Sequence, residues 1–355
     1  MDALMLPLNW QRVRLGDILT LKHGRDYKNF KLGNIPVYGS GGYMLSINNF
    51  LHNGESVCIG RKGTIDKPIY LNGKFWVVDT LFYSYSFKKS IPKFIFYAFS
   101  IIKWSNYNEA TGVPSLTKMT ISNIEIPLPP LNEQIAIANI LSDVDHYLYT
   151  LDALILKKES IKKALSFELL SQRKRLKGFN QAWQKVRLGD IANYLTSNLS
   201  VEQITQQGKI KVYDVNNFIG YTDTTFISDK PYISIVKDGS VGRVRILPPK
   251  TNILSTMGAL IANHKTTTEF LFYLLSNFDF KNFISGSIIP HIYFKDYKEK
   301  TIFLPPLNEQ IAIANILSDL DHEIISLKNK KRQFENIKKA LNHDLMSAKI
   351  RVLKN

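Results

Sequence analysis

The sequence predicts an α+β chain of two pseudo-symmetric bodies separated by a long antiparallel two-helix coiled coil. Three observations carry that reading. The segment PPLNEQIAIANILSDVDH at 129–146 returns as PPLNEQIAIANILSDLDH at 305–322, with only Val144 against Leu320 different. The opening WQRVRLGDI at 10–18 returns as WQKVRLGDI at 183–191. The stretches between are rich in Val, Ile, Tyr and Phe in short runs broken by Gly, Asn and Pro, whereas the tails carry apolar residues at helical spacing.

The repeat offset is 176 for the tails and 173 for the openings. A unit of that length has the size of a domain and is far too long for a solenoid repeat. The 176 offset also threads the divergent middle: RKGTID (61–66) lies over KDGSVG (237–242), Thr80 over Thr256, FIFYAFS (94–100) over FLFYLLS (270–276), and Pro114 over Pro290. Drift after a recent duplication touches all parts alike, so a variable body beside a nearly invariant tail implies that the two parts answer to different constraints.

Within the bodies, IPVYGSGGYM, ESVCIGRKGTI, KPIYLNGKFWVV and LFYSYSF read as strands and turns of a largely antiparallel sheet, followed by a short helix at 92–103 with its counterpart at 268–277. Pro129-Pro130 blocks helix before the tail, Asn132 suits an N-cap, and Glu133 places a carboxylate in the first turn. Ile137, Leu141, Val144, Leu148, Leu151, Ile155, Leu165 and Leu169 then keep a heptad seam, with Lys158 and Lys162 interrupting it. The second copy keeps the same seam through Ile313, Leu317, Leu320, Ile324, Leu327, Phe334, Leu341 and Leu345, interrupted by Lys331 and Lys338. Two matching seams in one chain pack most simply on each other, antiparallel if a two-fold relates the halves. The expected divisions are a body at 1–128, a central helix at 129–178, a second body at 179–304 and a C-terminal helix at 305–355.

Lys+Arg 46 against Asp+Glu 30 gives a net charge of +16, which favours polyanionic partners, nucleic acid first. No run approaches the roughly 18 apolar residues of a membrane span, so no membrane association is expected. The N-terminal segment lacks the basic-then-apolar pattern of a leader, pointing to the cytoplasm. The single cysteine, Cys58 in SVCIG, excludes an internal disulfide and reads as a small buried hydrophobe.

Catalytic signatures are missing. There is no phosphate-binding loop of the GxxxxGK[ST] type, and GSGGYM and IGRKGTID match no dinucleotide fingerprint. The Asn-Pro-Pro-aromatic tetrapeptide of adenine methyltransferases is missing too. Asp143, Asp145 and His146, repeated as Asp319, Asp321 and His322, form the most tempting metal cluster. Residues two apart on a helix diverge by about 200°, so the paired aspartates do not grip one ion, and a polar helix face or a partner contact is the better reading. His23, His264 and His291 offer no catalytic arrangement. The basic run at 157–177 (8 − 2 = +6) fits either the solvated back of a coiled coil or a face along a DNA backbone. Arg61-Lys62-Gly63-Thr64 and Lys237-Asp238-Gly239-Ser240 fit either phosphate-approaching turns or hairpins with incidental charge. So do the polar loops Thr111–Lys118 and Ser285-Gly286-Ser287.

Taken together, the WxxVRLGDI opening, the YGSGGY and IGRKGT strand-turn set, the TGVPSLT loop and the closing PLPPLNEQ helix resemble the specificity subunit of type I restriction–modification systems over essentially the whole chain. The resemblance implies a non-catalytic protein whose bodies are target-recognition domains, each reading half of a split double-stranded DNA sequence in the major groove. It points to Lys28, Ser40, Tyr43, Arg61, Lys62, Thr64, Thr111 and Lys118 as DNA contacts in the first body. In the second it points to Lys237, Ser240, Arg243, Ser285, Ser287, His291 and Lys295. The helices become a ruler between half-sites and the dock for two methyltransferase subunits through Leu131, Asn132, Glu133 and Gln134 and through Leu307, Asn308, Glu309 and Gln310. Motor-nuclease subunits complete the assembly. No cofactor or metal is expected in this chain; S-adenosylmethionine, ATP and magnesium belong to the partner subunits. The alternatives are the specificity subunit of a related fused restriction–methylation system and an unrecognised DNA-cleaving enzyme. One departure is Asp66, where the second copy has Gly242 and the family commonly has glycine, which leaves the turn geometry of the first half open.

Overall fold

A computed structural model describes residues 6–352, which form two compact units: the chain up to Asp152 together with the stretch from Asn329, and Ala153–Lys328. Each unit is α+β and combines one body with parts of both repeated helices.

In the first unit an antiparallel four-stranded sheet runs in the order Thr20–His23, Leu81–Tyr85, Ser56–Gly60, Ile69–Leu71. A second sheet, in the order Gly42–Ile47, Leu32–Gly39, Lys74–Val77, His52–Asn53, contains one parallel pairing, Val37 beside Trp76. The opening motif supplies Gln11–Arg14, which pairs antiparallel with Glu125–Leu128, the strand just before the invariant tail. The two constant ends of the repeat therefore meet. Helix α1, Pro92–Ile101, begins at a proline, as suits its N-terminus, and buries Phe94, Ile95, Tyr97, Ala98 and Phe99 against the first sheet. Helix α2, Leu131–Leu170, starts in this unit. Cys58 is fully buried, and burial pushes its thiol up to about 12, as the reading of an inert hydrophobe requires.

The second unit repeats the plan. Ala192–Thr196, Met257–Ala262, Tyr232–Val236 and Val244–Leu247 form its antiparallel sheet, and Phe218–Thr222, Ile210–Tyr213 and Asn252–Ile253 the smaller one. Gln184–Arg187 pairs with Thr301–Leu304 as the opening strand does in the first unit. Helix α3, Thr268–Ser276, is capped by the Thr267 hydroxyl, which accepts from the Phe270 N–H, and helix α4 covers Leu307–Met346. Both long helices have 40 residues, about 60 Å at 1.5 Å per residue. Their first residue is the leucine after the proline pair. Asn132 therefore sits inside the first turn and not at the N-cap, and the Pro130 carbonyl accepts from the Glu133 and Gln134 N–H groups at 3.0 Å.

Inside each unit the helices run antiparallel, and the lysines that interrupt the seam have partners across it. In the first unit Lys331 reaches Asp152 at 2.7 Å, which raises the pKa of its ammonium, and Lys338 reaches Asp145. In the second, Lys158 reaches Glu323 at 2.7 Å and Lys162 reaches Asp321. Asp145 also accepts from the Tyr97 hydroxyl at 2.8 Å and Asp321 from Tyr273 at 2.9 Å. These aspartates of the apparent metal motif are thus held in tyrosine–aspartate–lysine contacts. The described residues contain no group of three or more metal-ligating side chains.

Each unit holds a buried glutamate in the first turn of its repeated helix. Glu133 is 1% exposed; it accepts from the Trp10 indole at 3.1 Å and from Arg351 in a two-pronged contact at 2.7 and 3.0 Å. Glu309, 0% exposed, accepts from Trp183 at 3.0 Å and from Arg175 at 3.2 and 2.6 Å. A forked guanidinium suits a carboxylate in this way, and a buried carboxylate without it is strongly disfavoured. The next residue is equally engaged. Gln134 accepts from the Ile91 N–H and donates to the Lys89 and Pro129 carbonyls, tying α2 to the loop before α1. Gln310 does the same with Thr266, Thr267, Lys265 and Pro305. Replacing Arg351 by Ala strands the Glu133 charge, so it should destabilise the first unit by about 3 kcal/mol, while Arg351→Lys recovers only part. An unchanged urea midpoint for Arg351→Ala would show that the clamp contributes nothing.

Candidate nucleic-acid interface

The sheet of each body ends in turns that meet a loop from the far end of that body. In the first, the Thr80 carbonyl accepts from the Arg61 and Lys62 N–H groups at 2.8 and 3.2 Å. Gly63 N–H donates to Pro114 at 2.8 Å and Leu116 N–H to Arg61 at 2.9 Å. In the second, Thr256 accepts from Lys237 and Asp238 at 3.1 and 3.3 Å, Gly239 donates to Pro290 at 2.9 Å, and Ile292 to Lys237 at 2.9 Å. Gly63 at φ +89° and Gly239 at φ +84° occupy the left-handed region that this turn needs. The turns diverge three residues on. Gly242 has φ +80° with the Phe280 ring against it, whereas Asp66 is exposed and has no positive φ.

This junction gathers much of the first body's expected contact set. Arg61, Lys62 and Lys118 line a cleft of about 520 Å³ together with His23, Ser115 and Thr117. Lys28, Ser40 and Tyr43 line another of about 700 Å³, with Asp26, Asp79 and Thr80. Thr80 joins the two, since its hydroxyl faces the Ser40 N–H at 3.4 Å while its carbonyl holds Arg61 and Lys62. The Arg61 guanidinium donates to the Asp79 carbonyl at 3.2 Å. Thr111 is exposed outside these clefts, and Thr64 packs its backbone against Gly60.

The second body is chemically different. Lys237 is half-buried, while Ser240, Arg243, Ser285, Ser287 and Lys295 are exposed. His291 Nδ1 lies 2.6 Å from Asp238 Oδ1. A neutral cleft of about 360 Å³ is lined by Ser197, Asn198, Gln203, Thr224 and Asn252 among others. Sequence reasoning set His23 aside as offering no catalytic arrangement, placed Asp238 only within the turn Lys237–Ser240, and missed Arg245. Arg245 donates to the Asn216 carbonyl at 2.9 Å and lies 5.2 Å from the Tyr213 ring centre, so its guanidinium is pre-positioned. A single arginine within the short apolar run Val244–Leu247 carries no signal that singles it out.

The expected partner-contact segments need correction. Leu131 and Leu307 are 50% and 46% exposed, and Asn132 and Asn308 are exposed with them. Glu133, Gln134, Glu309 and Gln310 face inward and are occupied by the clamps described above, so they offer no surface to another protein. Ile135 and Ile311, 47% and 48% exposed, stand one turn beyond the leucines and take their place on that face.

His23 sits among cations. Burial, then Arg61 and Lys118, lower its pKa, so the ring stays neutral to lower pH than an ordinary histidine. A polyanion in the cleft offsets the two cations and raises that pKa. Binding then takes up a proton, and DNA affinity should rise as pH falls from about 8 to about 6. His23→Gln should flatten that slope; an identical pH profile in the variant would remove His23 from the interface.

A family model for the type I restriction modification DNA specificity domain matches residues 7–162 and again 180–336. The chain is 26% identical to the type I restriction enzyme MjaVIII specificity subunit of Methanocaldococcus jannaschii, over 99% of this chain and 95% of that protein. It is 31% identical to the putative MjaX specificity subunit of the same organism, over 74% of this chain and 68% of that one. The fold matches the crystal structure of a type I restriction-modification S subunit from M. genitalium with a TM-score of 0.71, at 19% identity and 97% coverage of both chains. A chain from a structure concerned with complex assembly of the type I R-M system matches at 0.57 and 15% identity, over 96% of this chain and 98% of that one.

Proposed function

The chain belongs to the type I restriction modification DNA specificity family, whose members are the non-catalytic recognition components of their complexes, and from that premise we propose that it reads an asymmetric bipartite DNA target. Each body reads one half-site, and the paired helices set the number of base pairs between them. The observation that carries this reading is the contrast of constant frame and changed chemistry: the same turn-and-loop junction carries Arg61, Lys62 and Lys118 in one body and Lys237, Asp238 and His291 in the other. Two bodies with different contact groups select different half-sites.

The repeated exposed faces, Leu131 with Ile135 and Leu307 with Ile311, serve as docks for two copies of one methyltransferase subunit. Motor-nuclease subunits join through them. S-adenosylmethionine, ATP and magnesium act in those partners, and the assembly works in the cytoplasm. No described helix is long and apolar enough to cross a membrane.

Exchanging residues 1–128 for the first body of another family member tests the division of labour. Methylation mapping should show one half of the modified sequence changed, with the other half and the spacing intact. A change in both halves would break the assignment of one body to one half-site. Native mass spectrometry should find two methyltransferase subunits per chain, and fewer after Ile135→Asp or Ile311→Asp. A firm one-to-one complex of the unaltered chain would contradict the paired docks.

A further inference from the structure

The junction described above pairs corresponding residues across a backbone bridge in each body. Lys62 bridges Ser115 in the first, and Asp238 bridges His291 in the second. The backbone bonds around the pairs are the same; the exposed chemistry is not.

In the second body the imidazole is held on several sides. Nδ1 meets Asp238 Oδ1 at 2.6 Å, with the two side chains 35% and 30% exposed. The His291 backbone exchanges hydrogen bonds with Ser285 at 2.7 and 2.9 Å. A Cβ at Gly286 would lie 2.9 Å from His291 Cδ2, so only glycine lets that loop close over the ring edge. The Tyr293 ring lies 6.4 Å away at 21°, and Lys295 Nζ lies 5.5 Å from the centroid of that ring. Among the described residues no hydrogen bond reaches Nε2.

A turn that only gripped phosphate would carry a cation or a neutral donor at this position, because a carboxylate repels phosphate. Here Asp238 replaces the lysine of the first body. A carboxylate is suited to this place where the side chains meet base edges, which include hydrogen-bond donors.

We propose that the facing pair is a base-reading determinant of each body. His291 reads one base edge through Nε2, and Asp238 is a positioning residue that holds the ring through Nδ1. Lys62 with Ser115 does the corresponding work in the first body. The inference rests on the DNA-reading function proposed above and adds to it the atoms that discriminate.

The test uses the full chain and a pool of duplex DNA randomised over both half-sites, with selected bases read by sequencing and folding checked by thermal melts. His291→Ala should lower discrimination at one base pair of one half-site by roughly 5- to 100-fold, leaving the other half-site unchanged. Asp238→Asn still accepts from Nδ1 and should keep the preference; Asp238→Ala should lose it. The double change Asp238→Lys with His291→Ser should shift the preferred base at that position toward the one chosen by the first body. If the unaltered chain selects a sequence but His291→Ala weakens all sequences alike, or leaves selection intact, the inference is overturned. If the unaltered chain selects no sequence, the DNA-reading function fails, and this inference with it.

Discussion

A carboxylate removed from water must meet charge and hydrogen-bond donors, and that requirement at Glu133 and Glu309 organises both units. Each glutamate stands in the first turn of a repeated helix, takes an indole N–H from the opening motif of its own repeat, and takes a guanidinium from the segment just beyond the end of the other repeat's helix. Arg175 and Arg351 stand 176 positions apart, so the same residue of each repeat completes the other repeat's clamp. Neither unit closes its clamp with residues of a single repeat. That accounts for a pattern the duplication alone leaves unexplained: the tryptophan of the opening, the LNEQ of the helix start and the arginine beyond the helix end are kept together because they are one contact.

The seam between the helices follows the same logic with weaker terms. Leucines and isoleucines supply burial, but Lys331, Lys338, Lys158 and Lys162 interrupt it and are matched by acids on the facing helix. Half-exposed pairs of this kind add little stability each. A wrong register leaves ammonium groups facing leucine, so their contribution is to the choice of partner face and direction. The tyrosines of α1 and α3 join the same aspartates, linking the register of the helices to the position of each body's short helix.

On this constant scaffold the bodies are free to vary where nothing internal depends on the side chain. The turn-and-loop junction is made by backbone N–H and carbonyl groups, which any residue but proline supplies in full, plus a glycine where φ is positive. The first body therefore carries cations, and the second an imidazole–carboxylate pair, on the same bonds. The LNEQ segment divides its side chains in a comparable way: Leu131 and Asn132 face out, and Glu133 and Gln134 face in. Identity of the two tails thus reflects internal closure at least as much as any shared partner.

Much of this was legible in the chain itself. The near-exact return of the tail, the heptad seam and the short apolar runs in ESVCIG and LFYSYSF are local patterns, and local pattern is a property of neighbours, so the two bodies, the two long helices and the antiparallel sheets follow from sequence, while the helix ends at Leu170 and Met346 fall short of the expected 178 and 355. The turns at Gly63 and Gly239 were likewise legible, because a backbone at positive φ favours glycine. What the tertiary structure decided are contacts between residues far apart in the chain. Glu133 in a first turn reads as a solvated dipole partner until Arg351, 218 positions later, is brought against it. Lys338 reads as a flaw in a seam until Asp145 faces it, and His291 reads as a loop histidine until Asp238 holds its ring. A side chain's spacing along its own element says which way it points, but its purpose depends on what the fold places opposite.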